Sequence, residues 1–236
     1  MIQMAIVNLT PDSFYEPSRV WSDTADAAVA RIRQLLADGA DIIDLGAVST
    51  RPGAADVPVE EEWRRLEPVL TALSELPLFS IDTTSAEIVR RAYGVLGEFI
   101  VNDISAGEDD PEMLPTVAEL GLPYIAMHKR GNPRSMDSLV EYPDGIMAEL
   151  LRYFEAFSAK AEALGIHDWI LDPGLGFAKT IEQNWEILEH LEELKVFGRP
   201  ILIGAADKRF TRGNTAAAHE LAIAHGADIL RVHTLI

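Results

Sequence analysis

The side chains able to do chemistry in this chain sit where apolar runs stop. MAIV ends in Asn8, LFSI in Asp82, FIV in Asn102 and Asp103, and WIL in Asp172. The last run, ILR, carries Arg231, and His233 follows two residues later. Carboxylates and carboxamides accept or donate hydrogen bonds in pairs, and an arginine with a histidine close by makes a place for an anion. Strand side chains alternate between faces. Asp82 therefore shares a face with Ser80, Asn102 with Ile100, and Asp172 with Ile170. In the last run Ile229, Arg231 and His233 take one face, and Leu230 and Val232 the other. Any one Asp or Asn after a strand is as well explained by a helix cap or a turn. Several such strand ends together point to a shared polar pocket. Asp44 and Asp103 read better as turn or packing-layer polar groups.

The intervening loops add to this. NLTPDSF and STRPGA combine hydroxyls with prolines and, in the second, an arginine. Residues 46–59 make a connection longer than the roughly 2–6 residues usual between a strand and a helix, and long loops of this kind often carry function. Arg51, between Thr50 and Pro52, reads equally as an anion binder or a solvated surface residue. DPGLGF places Gly174 and Gly176 where a ligand can come close to the backbone.

These residues need a scaffold that brings strand ends together. The strand candidates are MAIVN, DIIDLG, LFSID, EFIVND, YIAMH, WILDPG, ILIG and ILRVH. Amphipathic stretches alternate with them at 23–38, 60–75, 85–96, 111–120, 143–164, 180–195 and 213–225. Helix starts are marked by Ser22 or Asp23, by Ser85 with Glu87, and by Thr180 with Glu182. Gly39, Gly121, Gly165 and Gly226 follow four of the helices, where a left-handed residue can end them. This beat predicts an α/β chain closed into a (β/α)8 TIM barrel, whose strand C-termini form one mouth. An open doubly wound sheet is the alternative. With no linker or solenoid repeat, residues 1–236 read as a single domain.

The composition narrows the function class. Hydrophobic residues make up 48% of the 236 and charged residues 25%, ordinary for a globular protein. A formal net charge of −18 argues against nucleic acid as a partner. It would also slow an approaching anion, which a divalent cation would counter. There are no cysteines, so disulfides and thiolate metal sites are excluded. Nothing approaches the roughly 20 apolar residues of a membrane span, and the N-terminus does not read as a signal peptide. A cytoplasmic protein without membrane contact is the expectation.

The segments IVNLTPDSF, ADIIDLGAVSTRPGA, SIDTTSAEIVRRA, IVNDISAG, MHKRGNP, ILDPGLGFAKTIEQN, a lone Lys208 after ILIG, and LRVH occur in order along nearly the whole chain. Together they resemble dihydropteroate synthase, the folate-pathway transferase. TPDSF and STRPG separate that family from other pterin-binding barrels, such as folate-dependent methyltransferases that feed corrinoid proteins. The resemblance implies condensation of 6-hydroxymethyl-7,8-dihydropterin diphosphate with p-aminobenzoate. Asp82, Asn102, Asp172 and Lys208 match the residues that hold the pterin, with Asp82, Asp172 and Lys208 as the catalytic set. Arg51, Arg231 and His233 match the diphosphate binders. Asn8 matches the ligand of a diphosphate-bound Mg2+. Thr50 and Pro52 lie on a loop that closes over the site, and Phe177 matches the aromatic edge of the aminobenzoate pocket. A homodimer is implied as well.

Three departures from the family are visible. Its usual Ser-Arg-Lys-Ser is replaced by Ala206, Asp207, Lys208 and Arg209. Arg209 stands where a serine of the family helps hold the aminobenzoate carboxylate, and it reads equally as a substitute or as a solvent-facing residue. The segment from Phe210 to the seventh helix is short, and no eighth helix follows the last strand. The outer face of that strand, Leu230 and Val232, is therefore expected to be left bare. These departures keep two alternatives open: a methyltransferase-type pterin barrel and an inactive pterin-binding homologue.

Overall fold

The computed structural model of the chain describes residues 1–9, 25–48, 57–73, 79–131, 135–206 and 208–236. Eight strands form one parallel sheet: β1 (Ile2–Asn8), β2 (Ile42–Gly46), β3 (Phe79–Asp82), β4 (Ile100–Asp103), β5 (Tyr124–Met127), β6 (Trp169–Asp172), β7 (Leu202–Ile203) and β8 (Ile229–Val232). Their order is β6-β5-β4-β3-β2-β1-β8-β7. A Leu171–Ile201 bridge joins β6 to β7 and closes the barrel. Between the strands lie α1 (Asp26–Ala37), α2 (Val59–Ala72), α3 (Ala86–Leu96), α4 (Met113–Leu120), α5 (Ile146–Leu164), α6 (Ile181–Glu189) and α7 (Thr215–Ala224). A 3-10 turn over Leu191–Phe197 extends α6.

Alternation along the strands sorts the core in two. Met4, Ile42, Ile100, Ile125, Ile170, Leu202 and Ile229 fill the barrel interior. Residues of opposite parity, such as Val7, Leu45, Ile81, Val101, Trp169 and Ile203, pack outward against the helices in a larger cluster. The interior plug lies below the polar strand ends, so it forms a dry floor under them.

Local signals position the helices. Ser85 caps α3 by accepting from the Ile88 amide. Thr180 caps α6 in a reciprocal box, and its partner is Gln183 rather than the Glu182 read from sequence, because Gln183 is the third helical residue. Gly121 and Gly165 end α4 and α5 in the left-handed conformation. Gly39 and Gly226, with φ of +106° and +97°, come one residue after the cap positions of α1 and α7. Ser22 and Asp23 lie outside the described residues.

No helix follows β8 among the described residues, yet Leu230 and Val232 are each only 1% exposed. The expectation of a bare outer face is thus overturned. Leu235 folds back onto the same apolar cluster. The Ile236 amide donates to Gln3 Oε1 at 2.7 Å, which ties the final residues to β1. No described helix is long and apolar enough to cross a membrane.

Candidate active site

The polar strand ends meet at the mouth of the barrel. Arg231 on β8 reaches across it. Its Nε donates to Asp44 Oδ2 at 2.7 Å, and its Nη2 lies 2.6 Å from Asp44 Oδ2 and 2.7 Å from Asp82 Oδ2. Asn102 Nδ2 donates to both Asp44 oxygens at 3.2 and 3.4 Å. One arginine from the last strand thus links carboxylates on β2 and β3, with a carboxamide from β4 attached. Asn8 joins this group across Gly46. A Cβ placed on Gly46 would stand 3.6 Å from Asp82 Cβ and 3.7 Å from Asn8 Oδ1, so both side chains flank Gly46.

On the far side, Asp172 Oδ1 accepts from the Gly174 amide at 2.8 Å. Lys208 Nζ donates to the Leu175 carbonyl and lies 4.7 Å from the centre of the Phe177 ring. Gly176 lies directly beneath it; a Cβ there would meet Lys208 Cδ at 3.0 Å. Gly174, at φ +69°, is obligatory, since a Cβ would fall 2.0 Å from the His128 carbonyl oxygen.

Burial governs the electrostatics. It pushes the Asp82 carboxyl up to about 7; Arg231 pulls it down, and Asp44 and Glu62 push it further up. Asp172 is raised by burial against the pull of Lys208 and the Gly174 amide. Burial lowers Lys208 to about 8, with Asp172 opposing. Burial also works against the Arg231 charge, but Asp44 and Asp82 outweigh it and hold the guanidinium above its usual value. The carboxylates of Asp82 and Asp172 line the described floor with acceptors, which favours a ligand edge rich in N–H donors.

This architecture matches known proteins along its whole length. A family model described as "Pterin binding enzyme" covers residues 4–233. Dihydropteroate synthase of Synechocystis is 41% identical over 98% of this chain and 84% of its own length. The chain belongs to the dihydropteroate synthase family. The synthase of Neisseria meningitidis serogroup C is 40% identical, over 98% of this chain and 86% of that protein. The Yersinia pestis dihydropteroate synthase, solved with a sulfonamide drug complex, superposes with a TM-score of 0.91 at 34% identity and covers 99% of this chain and 88% of that one. The Xanthomonas albilineans dihydropteroate synthase with 4-aminobenzoic acid gives 0.86 at 38% identity, over 98% and 87%.

Against the family pattern, the structure brings Asn8, Asp82, Asn102, Asp172, Phe177, Lys208 and Arg231 to one mouth. His233 follows Arg231 just past β8 and is half-buried. Arg209 is exposed beside Lys208, at the start of a 3-10 turn. Thr50, Arg51, Pro52 and Asp207 lie outside the described residues.

Asp44 is the site residue that sequence reasoning missed. Treated as a packing-layer group, it proves fully buried and paired with Arg231. The signal was available: Ile42, Asp44 and Gly46 share a parity, and Ile42 points into the barrel. Asp103, by contrast, faces outward and holds the turn after β4, accepting from the Ser105 and Gly107 amides and from Tyr124 Oη.

Proposed function

We propose that the chain condenses 6-hydroxymethyl-7,8-dihydropterin diphosphate with p-aminobenzoate, releasing 7,8-dihydropteroate and diphosphate. The observation that carries this reading is the acceptor-rich floor of Asp82, Asn102 and Asp172, with Lys208 beside Asp172 and Arg231 at its rim. A pterin presents a guanidine-like edge of N–H donors, which carboxylates and a carboxamide can accept in pairs. Arg231 commits Nε and Nη2 to Asp44 and Asp82, which leaves Nη1 for the diphosphate. His233, on the same strand face, and Arg51 belong to the same anion cradle in this reading.

The reaction follows from that arrangement. The bond from the pterin methylene to the diphosphate oxygen breaks, and its electron pair leaves on the diphosphate. Positive charge grows on the methylene, where Asp82 and Asp172 stabilise it electrostatically. The amine lone pair of aminobenzoate then forms the new C–N bond, and the surplus proton leaves with the diphosphate. An aromatic amine needs positioning more than activation. Phe177 supplies one edge of its pocket, Arg209 is the cation that would meet its carboxylate, and the family resemblance gives Thr50 and Pro52 a substrate-binding role.

The residues present fit a magnesium ion carried mainly by the substrate. No group of three or more His, Cys, Asp or Glu side chains among the described residues could hold a metal alone, while Asn8 carries one neutral oxygen at the end of β1, next to Gly46. When bound with Asn8 as its protein ligand, the ion would neutralise diphosphate charge. A cytoplasmic homodimer completes the reading, supported by the family resemblance alone.

The test is direct. Purified chain is incubated with the pterin diphosphate, Mg2+ and p-aminobenzoate, and dihydropteroate is followed by chromatography. Turnover is expected, with Asp82→Asn and Asp172→Asn each slowing it about 100-fold or more. Pterin binding without turnover would favour the inactive homologue and overturn the proposal.

A further inference from the structure

The DPGLGF loop after β6 carries much of the site, yet it has little regular structure of its own. Its shape comes from three left-handed residues: Gly174 (φ +69°), Gly176 (φ +79°) and Ala178 (φ +49°). Left-handed residues reverse the direction of neighbouring peptides, and each turned carbonyl then needs a donor. The Leu175 carbonyl takes Lys208, and the Ala178 carbonyl takes Tyr142 Oη at 2.8 Å. The Gly176 amide is held by Asn184 Oδ1 of α6 at 2.6 Å. The carbonyls of Gly174 and Phe177 converge on one group, Lys179 Nζ, each at 2.9 Å. His128 Nδ1, just past β5, lies 2.9 Å from the same nitrogen, and the His128 carbonyl is farther, at 3.5 Å.

The count of protons fits the count of acceptors. Burial pulls Lys179 down to about 7, with Asp172 opposing, and its ammonium form has three N–H bonds for the three acceptors at 2.9 Å. His128 must then accept at Nδ1 and carry its own proton on Nε2. Its surroundings agree. Burial holds the imidazole well below its usual pKa, and Lys179 and Arg130 push the same way, so the ring is neutral with a lone pair to offer. His128 is 1% exposed and meets the Tyr153 ring edge-on at 4.8 Å, so it cannot turn away.

We infer that Lys179 is a positioning residue of this enzyme, clamping the DPGLGF loop against His128 so that Asp172, the Leu175 carbonyl and Phe177 stand where Lys208 and the substrates need them. Lys179 Nζ has backbone carbonyls and His128 as its hydrogen-bond partners, and its charge is also felt by Asp172. It acts through the loop, because the loop supplies the amide that orients Asp172 and the carbonyl that receives Lys208. Its kinetic consequences rest on the synthase reading; its effect on the loop does not.

The experiment separates the two. Hydrogen exchange of the loop peptide is measured in the full chain without substrates, for the native sequence, Lys179→Gln and Lys179→Met. Exchange should rise about 10-fold or more in the methionine variant, which keeps the stem and loses every donor. It should rise less in the glutamine variant, whose amide can still serve a carbonyl. In the turnover assay, Lys179→Met should lower kcat/KM about 10-fold or more. Combined with Lys208→Met the two losses should fall short of multiplying in full, since part of what Lys179 holds in place is the Leu175 carbonyl that receives Lys208. If the methionine variant does not fold, the glutamine variant is read in the same two assays. Unchanged loop exchange in a folded variant, or losses that multiply in full in the double variant, would overturn the clamp. A native chain that makes no dihydropteroate would instead count against the synthase reading, and the exchange result would still decide the clamp.

Discussion

Asp44→Asn is the sharpest perturbation of the mouth, because it removes a charge and almost no volume. Asp44 Oδ2 receives Arg231 Nε at 2.7 Å and stands 2.6 Å from Nη2. Breaking a buried ion pair by removing one partner is worth about 3–5 kcal/mol. Here Asp82 remains on the same guanidinium at 2.7 Å, and the new amide still offers an oxygen. The expected loss is therefore smaller, about 2–3 kcal/mol, the size of one or two charge-assisted hydrogen bonds. For a chain of this length that lowers Tm by about 4–12 °C. Arg231→Met should be worse, about 3–5 kcal/mol, since it strands two carboxylates in the barrel. The double variant should lose less than the sum of the two, by about 1.5–3 kcal/mol, because removing the arginine then strands one carboxylate instead of two. Thermal and urea unfolding followed by circular dichroism at pH 7.5 reads all four proteins. A fall of under about 2 °C for Asp44→Asn, or strict additivity in the double variant, would refute the idea that β8 is fastened to β2 and β3 through this arginine.

Further predictions follow from other residues. Gly174→Ala should destabilise by more than about 2 kcal/mol, because it adds the strain of a left-handed alanine to a backbone collision with His128; a melt within about 2 °C of the native chain would sink that account. Lys208 is pushed down to about 8, so its ammonium is lost as pH rises through that value. The alkaline limb of kcat/KM should fall near pH 8 and move upward in Lys208→Arg, whose guanidinium keeps its charge; an unmoved limb would assign it to another group. Glu62 of α2 is 5% exposed and its carboxyl pKa is raised by burial, with Thr83 and Arg65 opposing. The folded chain then binds a proton that the unfolded chain releases, so stability falls as pH climbs past the ordinary carboxylate value. Glu62→Gln should make that slope shallower, with Asp82 and Asp172 supplying the rest, and gain stability on the neutral side. Parallel melts from about pH 4 to 8 that show the same slope for both proteins would contradict it.

Much of the architecture was legible in local patterns. Strand parity needs only neighbouring residues, so Asp82, Asn102 and Asp172 could be aimed at the barrel axis from short segments of sequence. The same parity placed Asp44 inward, and only the bias toward strand ends hid it. Caps at Ser85 and Thr180 were legible for the same reason, because a capping side chain bonds an amide three residues on. The covering of Leu230 and Val232 was not, since it depends on Leu235 turning back and on Gln3, far away in sequence, holding the last residue.

What the sequence determined by itself is the list of strands, their faces and the kinds of groups at their ends, all encoded over a few residues. What only the tertiary structure decided is which groups meet. Arg231 reads from sequence as a cation awaiting an anion from outside, yet closure of the barrel brings it Asp44 and Asp82, 187 and 149 residues away. Nothing in the local sequence marks Lys179. Its partners are mainly backbone carbonyls turned inward by left-handed residues, and carbonyls, being common to every residue, leave no mark in a sequence.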